Sequence, residues 1–183
     1  MKSIRIIIAS VFLISLSCTT TDEAANTENQ DYLQSLSFLS PPEGIDIEFD
    51  LVQARNTACT EKKTILTLFT GYGAHSNKPP LEFRILEDRS VQEFVKDKYV
   101  LLFLLVDDRR EAPEQDQVFS EVLSKKIKSL GHKWSHLQQT ELKTNYQPQF
   151  AKMTCAGDFF QAFDGRGLQN INEFLEFLQD SDW

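Results

Sequence analysis

The stretch Leu-Thr-Leu-Phe-Thr-Gly-Tyr-Gly-Ala-His-Ser-Asn-Lys-Pro-Pro-Leu-Glu-Phe, Leu66 to Phe83, holds the residues best placed to do chemistry. A β-branched and leucine-rich run opens onto Gly71-Tyr72-Gly73, where a strand should break into a loop, and a helix is expected a few residues later. Ala74, His75, Ser76 and Asn77 would then sit at a strand-to-helix mouth. His75-Ser76 puts a base beside a hydroxyl, the raw material of nucleophilic catalysis. That chemistry needs the two side chains to face each other and a third group to orient the base. Chain neighbours rarely face each other, and no orienting carboxylate is identifiable, so hydrolysis is not expected. The dipole of the following helix disfavours protonated His75, leaving it a neutral hydrogen-bonding group. His132 and His136 have the spacing of helical metal ligands, but no His-Glu-x-x-His pattern is present and Gly131 and Trp134 suggest a loop. They read as surface histidines, and neither metal nor cofactor is expected.

The chain that must position these residues has 183 residues, 41% of them hydrophobic, enough for one core. Its formal net charge of −8, with no basic stripe, argues against a nucleic-acid partner. At the N-terminus Lys2 and Arg5 precede a largely apolar run from Ile6 to Leu16, the layout of an export signal. That run is well short of the roughly 20 residues a spanning helix needs. Leu16-Ser17-Cys18 resembles a bacterial lipoprotein signal, in which the cysteine becomes the acylated first residue of the mature chain. The expected organisation is a leader over 1–17, a flexible polar tether over 18–40 and a folded domain over 41–183. Thr19 to Gln30 has no apolar period and cannot offset its ordering entropy. Loss of Lys2 and Arg5 with the leader takes the charge from −8 to −10, so the body should stand off an anionic membrane, held by lipid alone. The bacterial envelope, facing the periplasm, is the expected location.

Periodicities become readable further on. Ile45 to Phe49 alternates as a half-buried strand does, Leu51 to about Ala58 suits a short helix, and Thr64 to Thr70 is β-rich. Ile85, Val91, Phe94 and Val95 share a helical face behind Pro79-Pro80. Tyr99 to Val106 is continuously apolar, as in a central strand covered on both faces, and ends at Asp107-Asp108-Arg109-Arg110, which reads as a solvated strand end. Val118, Val122, Ile127 and Leu130 suggest another helix. Phe150 to Thr154 and Phe159 to Phe163 flank Ala156-Gly157-Asp158 as a hairpin, and Ile171, Phe174, Leu175 and Leu178 form the face of a last helix. The 14 phenylalanines fall mainly in these elements and read as core. Parallel crossovers followed by a hairpin and helix predict an α/β three-layer sandwich with a mixed central sheet, the thioredoxin-like arrangement.

Four segments sharpen that expectation: Pro42-Glu43-Gly44-Ile45, Phe69-Thr70-Gly71-Tyr72-Gly73, Val106-Asp107-Asp108-Arg109 and Asn145-Tyr146-Gln147-Pro148. Together they resemble the periplasmic thioredoxin-like domain at the C-terminus of DsbD-type thiol:disulfide interchange proteins, over roughly Pro41 to Leu178. The resemblance implies two cysteines, two residues apart, after the Gly-Tyr-Gly, the first activated at a helix mouth. Those positions are Ala74 and Asn77, or His75 and Lys78 after a one-residue slip. It also implies a buried acid just before Phe-Thr-Gly, where Leu68 stands. Thiol–disulfide exchange requires attack by a thiolate, and none is available there.

In a thioredoxin-like sheet the strand after Pro148 runs antiparallel to its neighbour. Cys59 and Cys155 should therefore lie at the pole opposite the Gly-Tyr-Gly loop, either bridged or as two buried thiols. Two functions remain. One is a non-catalytic binding module whose Tyr72, Gly73, Ala74, His75, Ser76, Asn77, Tyr146, Gln147 and Pro148 contact an extended segment of another envelope protein. The resemblance implies a groove beside a proline, typically cis, whose backbone can pair with a peptide strand without any thiol. The other is a thiol–disulfide oxidoreductase of the interchange-protein type, either working through Cys59 or Cys155 or a homologue that inherited the activity only in name.

Overall fold

The computed structural model describes residues 45–71 and 81–180, all within the unit that runs from Pro41 to Trp183. The leader, Cys18, the polar tether and the loop positions Tyr72, Gly73, Ala74, His75, Ser76 and Asn77 lie outside the described residues.

Short strand β1 (Ile47–Glu48) leads to helix α1 (Leu51–Glu61). Asp50 caps the helix by accepting the Gln53 N–H at 2.8 Å, and Lys62 ends it in the left-handed region, φ 56°. Strand β2 (Thr64–Thr70) follows. The predicted face through Ile85 and Val95 divides into two helices, α2 (Leu81–Leu86) and α3 (Arg89–Lys98). Asp88 breaks them, because its carboxylate accepts the N–H groups of Ser90 and Val91 and so starts a new helix. Strand β3 (Tyr99–Leu105) is buried at every position, as its unbroken apolar run requires.

The region after β3 departs from the expected helix over Val118 to Leu130. It forms a two-stranded hairpin, β4 (Phe119–Ser120) and β5 (Lys125–Lys126), and the helix α4 begins only at Leu130 and ends at Glu141. Ser129 fixes that start by accepting the His132 N–H at 3.3 Å. Gly131 lies inside this helix rather than in a loop, because a Cβ there would come within 2.6 Å of the Val106 carbonyl oxygen. Glycine permits the close approach. Strands β6 (Gln149–Met153) and β7 (Phe159–Asp164) form the expected hairpin, turned at Gly157 with φ +105°, and helix α5 (Ile171–Gln179) closes the unit.

The main sheet has the order β1-β3-β2-β6-β7, with β1, β3 and β2 parallel and β6 antiparallel to β2. Side-chain alternation sends Ile65, Phe69, Leu102 and Leu104 to one face, where Ala54 and Ala58 of α1 and Trp134 of α4 cover them. The other face packs aromatic rings: Phe103 meets Phe83 of α2 at 5.7 Å, and Phe150 meets Phe174 of α5 at 4.8 Å. The result is the expected α/β three-layer sandwich.

Two proton donors fasten α5 through its C-terminal carbonyls, which the helix itself leaves unpaired. The Tyr99 hydroxyl donates to the Leu178 carbonyl at 2.6 Å, and buried Lys152 donates to the Phe177 and Asp180 carbonyls. Burial, reinforced by Asp180, pushes the Tyr99 hydroxyl up to about 12, whereas burial pushes the Lys152 ammonium down against an opposing pull from Asp180. An unfolded tyrosine titrates near pH 10, so the Tyr99 contribution is intact below that pH and is lost as pH rises through about 12. Lys152 acts oppositely, since deprotonation relieves the cost of burying its charge below the ordinary lysine range. Above that range both states hold it neutral. Urea titrations at pH 10 to 12 should show falling stability in the native chain and a shallower fall in Tyr99→Phe; equal slopes would refute the assignment.

Candidate functional site

Three segments meet where β2 ends. The Val106 N–H donates to the Thr70 carbonyl at 2.8 Å, holding the β2 and β3 exits together. Gly71 follows, so close to Asp107 that an added Cβ would sit 3.1 Å from its Oδ2. β6 runs the other way, pairing Phe69 with Gln149, so the loop before β6 arrives at this same end. The Gln147-Pro148 bond in that loop is cis. Gln138 of α4 steadies the loop, donating through Nε2 to the Tyr146 carbonyl at 2.7 Å and to Gln149 Oε1 at 2.9 Å.

The rim of this end is polar and partly aromatic. Tyr146 is 60% exposed, with the Arg166 guanidinium 5.1 Å from its ring centre. Arg166 also grips Asp164, and those hydrogen bonds hold the Asp164 carboxyl below its ordinary range. Gln147 is exposed, and among the described residues its backbone N–H and C=O have no hydrogen-bond partner. A surface of this kind can add a strand to itself through main-chain hydrogen bonds.

Both domain cysteines lie at the other end. Ile65, at the start of β2, pairs with Met153, at the close of β6, and Cys155 follows two residues later. Cys59 comes from the last turn of α1, and the two form a disulfide with Cα atoms 5.2 Å apart. Of the two states the sequence left open, the structure holds the bridged one. Arg55 supports it from α1, donating through Nε to the Cys155 carbonyl at 3.0 Å and through Nη2 to the Ala156 carbonyl.

No family model and no curated protein matches the chain. Solved structures do. A structure described as DsbH oxidoreductase is 13% identical, with a TM-score of 0.50, the match covering 76% of this chain and 88% of that one. The fold is thioredoxin-like. A thioredoxin from Thermus thermophilus is 16% identical with a TM-score of 0.48, covering 74% of this chain and 85% of its own. A disulphide isomerase from Xylella fastidiosa Temecula1 is 12% identical with a TM-score of 0.45, covering 70% and 87%. At such identities the likeness is one of fold, and function must be argued from the site.

Within this thioredoxin-like frame several polar residues escaped sequence reasoning. Leu68 leaves no acid in β2, yet Glu82 of α2 is 2% exposed and its Oε1 accepts the Thr70 hydroxyl at 2.8 Å, one residue before Gly71. A lone glutamate in an apolar stretch carries no pattern that would flag it. Asp108, expected to be solvated, is 2% exposed and paired with Arg110 at 2.7 Å, its carboxylate also accepting the Arg110 N–H. That turn folds the carboxylate back over its own backbone.

The histidines find separate partners. His132 Nδ1 accepts the Lys128 N–H at 3.4 Å, whereas His136 Nδ1 and Ser120 Oγ share a hydrogen bond of 2.8 Å. The serine–histidine pair could suggest a nucleophile, but Ser120 is fully buried and its Oγ also accepts the Leu123 N–H. Among the described residues no carboxylate hydrogen-bonds the His136 ring. The pair pins the β4–β5 hairpin to α4.

Proposed function

We propose that this chain is a lipid-tethered envelope protein, similar to a DsbD-type interchange domain, that holds an extended segment of a partner without exchanging disulfides. One observation supports this reading above the others: Cys59 and Cys155 are joined to each other at the end of the sheet away from Gly71 and Pro148. The remaining cysteine, Cys18, would be the acylated first residue of the tether, so no thiol is left for the face where thioredoxin-like proteins react. The Gln147 backbone, unpartnered among the described residues, and exposed Tyr146 give a peptide strand something to pair with. The lipid on Cys18 would supply the membrane attachment, with the polar tether over 18–40 as spacer.

A second reading has its own support. Cys59 is exposed within its bridge, and one solved structure with this fold is described as an oxidoreductase. Insulin reduction with dithiothreitol separates the two. The binding module should give no acceleration over dithiothreitol alone, whereas turnover abolished by Cys59→Ser would establish the oxidoreductase. For the binding half, a photo-cross-linker at Tyr146 in intact cells should capture a partner that the same group at Asn56 on α1 does not. Equal capture from both positions would sink the groove assignment.

A further inference from the structure

The β4–β5 hairpin has no role in the site just described, yet it has an unusual surface. Among the described residues six large hydrophobic side chains are exposed, and Val118, Phe119 and Val122, at 54%, 66% and 49%, supply three of them within one turn. Phe119 pairs directly with Lys126 across the ladder, so both stand on the same outward face. Lys125, which pairs with Ser120 instead, and Lys128 are exposed on either side of it. Among the described residues none of these lysines has an ion-pair partner, although the chain carries a net charge of −8 and could supply many. Between Val118 and Lys128 the three lysines face a single acid, Glu121. Asp116, the nearest acid before the hairpin, is occupied by Lys133 at 2.7 Å. The positive field is felt locally: burial, and then Lys125 and Lys128, hold the His132 ring below its ordinary range.

The hairpin is also firmly mounted. Besides the bond between Ser120 and His136, the Ile127 N–H donates to the Val118 carbonyl at 2.9 Å and the turn closes with Ser124 at φ 51°. Its inner face is fixed to α4 while its outer face offers a phenylalanine ring beside ammonium groups.

We propose that the β4–β5 hairpin is a membrane-surface contact, with Phe119 and Val122 entering the headgroup region of an anionic bilayer and Lys125, Lys126 and Lys128 binding its phosphates. Apolar side chains ringed by cations are what an anionic interface accommodates, each lysine near such a surface raising partition by about fivefold. The mean charge predicts repulsion for the body as a whole, but screening confines that repulsion to about a Debye length, and the hairpin presents the opposite sign at close range. The inference goes beyond a lipid tether, which leaves the domain free to tumble. A docked hairpin orients it.

The test is co-sedimentation of the full chain with vesicles of phosphatidylglycerol and phosphatidylcholine against phosphatidylcholine alone, at physiological ionic strength, where the body's repulsion is screened. The lipid on Cys18 contributes equally to every variant, so differences belong to the hairpin. K125E/K126E should lower partition onto the anionic vesicles at least tenfold and leave the neutral ones unchanged, and F119S should lower it several-fold. Phe119→Trp should be quenched by brominated phosphatidylglycerol. Native partition in both variants, or an unquenched indole, would overturn the proposal. So would loss of polyglutamate binding in K125E/K126E with vesicle partition intact, which would assign the surface to an acidic polypeptide. Failure of the tether is read separately, as a native chain that incorporates no labelled palmitate at Cys18.

Discussion

Replacing Cys155 with serine is expected to lower the unfolding free energy by about 4–5 kcal/mol, because the bridge closes a loop of nearly a hundred residues. Its sequence separation is 96, so the cross-link removes much of the freedom of the unfolded chain. For a domain near this size the loss corresponds to a fall in Tm on the order of 10–15 °C. It would consume a large part of a typical stability of about 5–15 kcal/mol. Cys59→Ser should cost the same, the double variant no more than either, and dithiothreitol should reproduce the effect in the native chain alone. Arg55 offers a finer check, since its bonds to the Cys155 and Ala156 carbonyls hold the hairpin turn against α1 without the sulfurs. Arg55→Met in the double-serine background should therefore lose a further increment of about 1–3 kcal/mol. Thermal midpoints unmoved by either single serine would show that the bridge is not a structural staple and would favour the oxidoreductase reading.

The strands most legible in the sequence were those whose environment leaves no ambiguity. β2 and β3 are covered on both faces, so Thr64 to Thr70 and Tyr99 onward read as apolar runs too short for separate helices. The β6–β7 hairpin was readable because one glycine, Gly157, supplies the positive φ of its turn. The region from Val118 to Leu130 failed for a physical reason. Val118 and Ile127 are opposite partners in a small hairpin and line one cavity of about 230 Å³ with Trp134 and Leu137. Seen along the chain, that cross-strand neighbourhood imitates helical spacing. The true helix, α4, hides its start because Gly131, normally a helix breaker, is required by the nearby Val106 and Asp108 backbone.

The candidate site was legible in outline and not in its polar interior. Proximity of Gly71 to Pro148 follows from strand order, and strand order follows from the alternation of apolar runs and helices. Glu82 and Lys152 are buried charged residues whose partners lie 12 to 28 positions away in sequence, on other elements. Such pairings exist only once the layers have closed. Likewise, whether Cys59 and Cys155 bridge depends on a Cα separation of 5.2 Å that no spacing of residues encodes.

Gly165→Ala is the substitution expected to damage the proposed binding edge most. An added Cβ would lie 2.0 Å from the Pro148 carbonyl oxygen and 2.9 Å from its carbonyl carbon and ring Cγ. Backbone cannot swing aside as a flexible side chain can, so either the Pro148 loop or the turn beginning at Gly165 must move. Overpacking of this severity costs about 3 kcal/mol. Gly167→Ala, two residues on, supplies the contrast: its Cβ would meet the Phe163 ring at 2.7 Å, and a ring edge can tilt away. The first variant should therefore lose several times more stability than the second. It should also abolish cross-linking from Tyr146, since a displaced Pro148 no longer presents the Gln147 backbone in line with β6. The same stability loss from both glycines would mean that the Pro148 carbonyl yields readily, and a groove built on so compliant a loop could not preorganise a peptide strand.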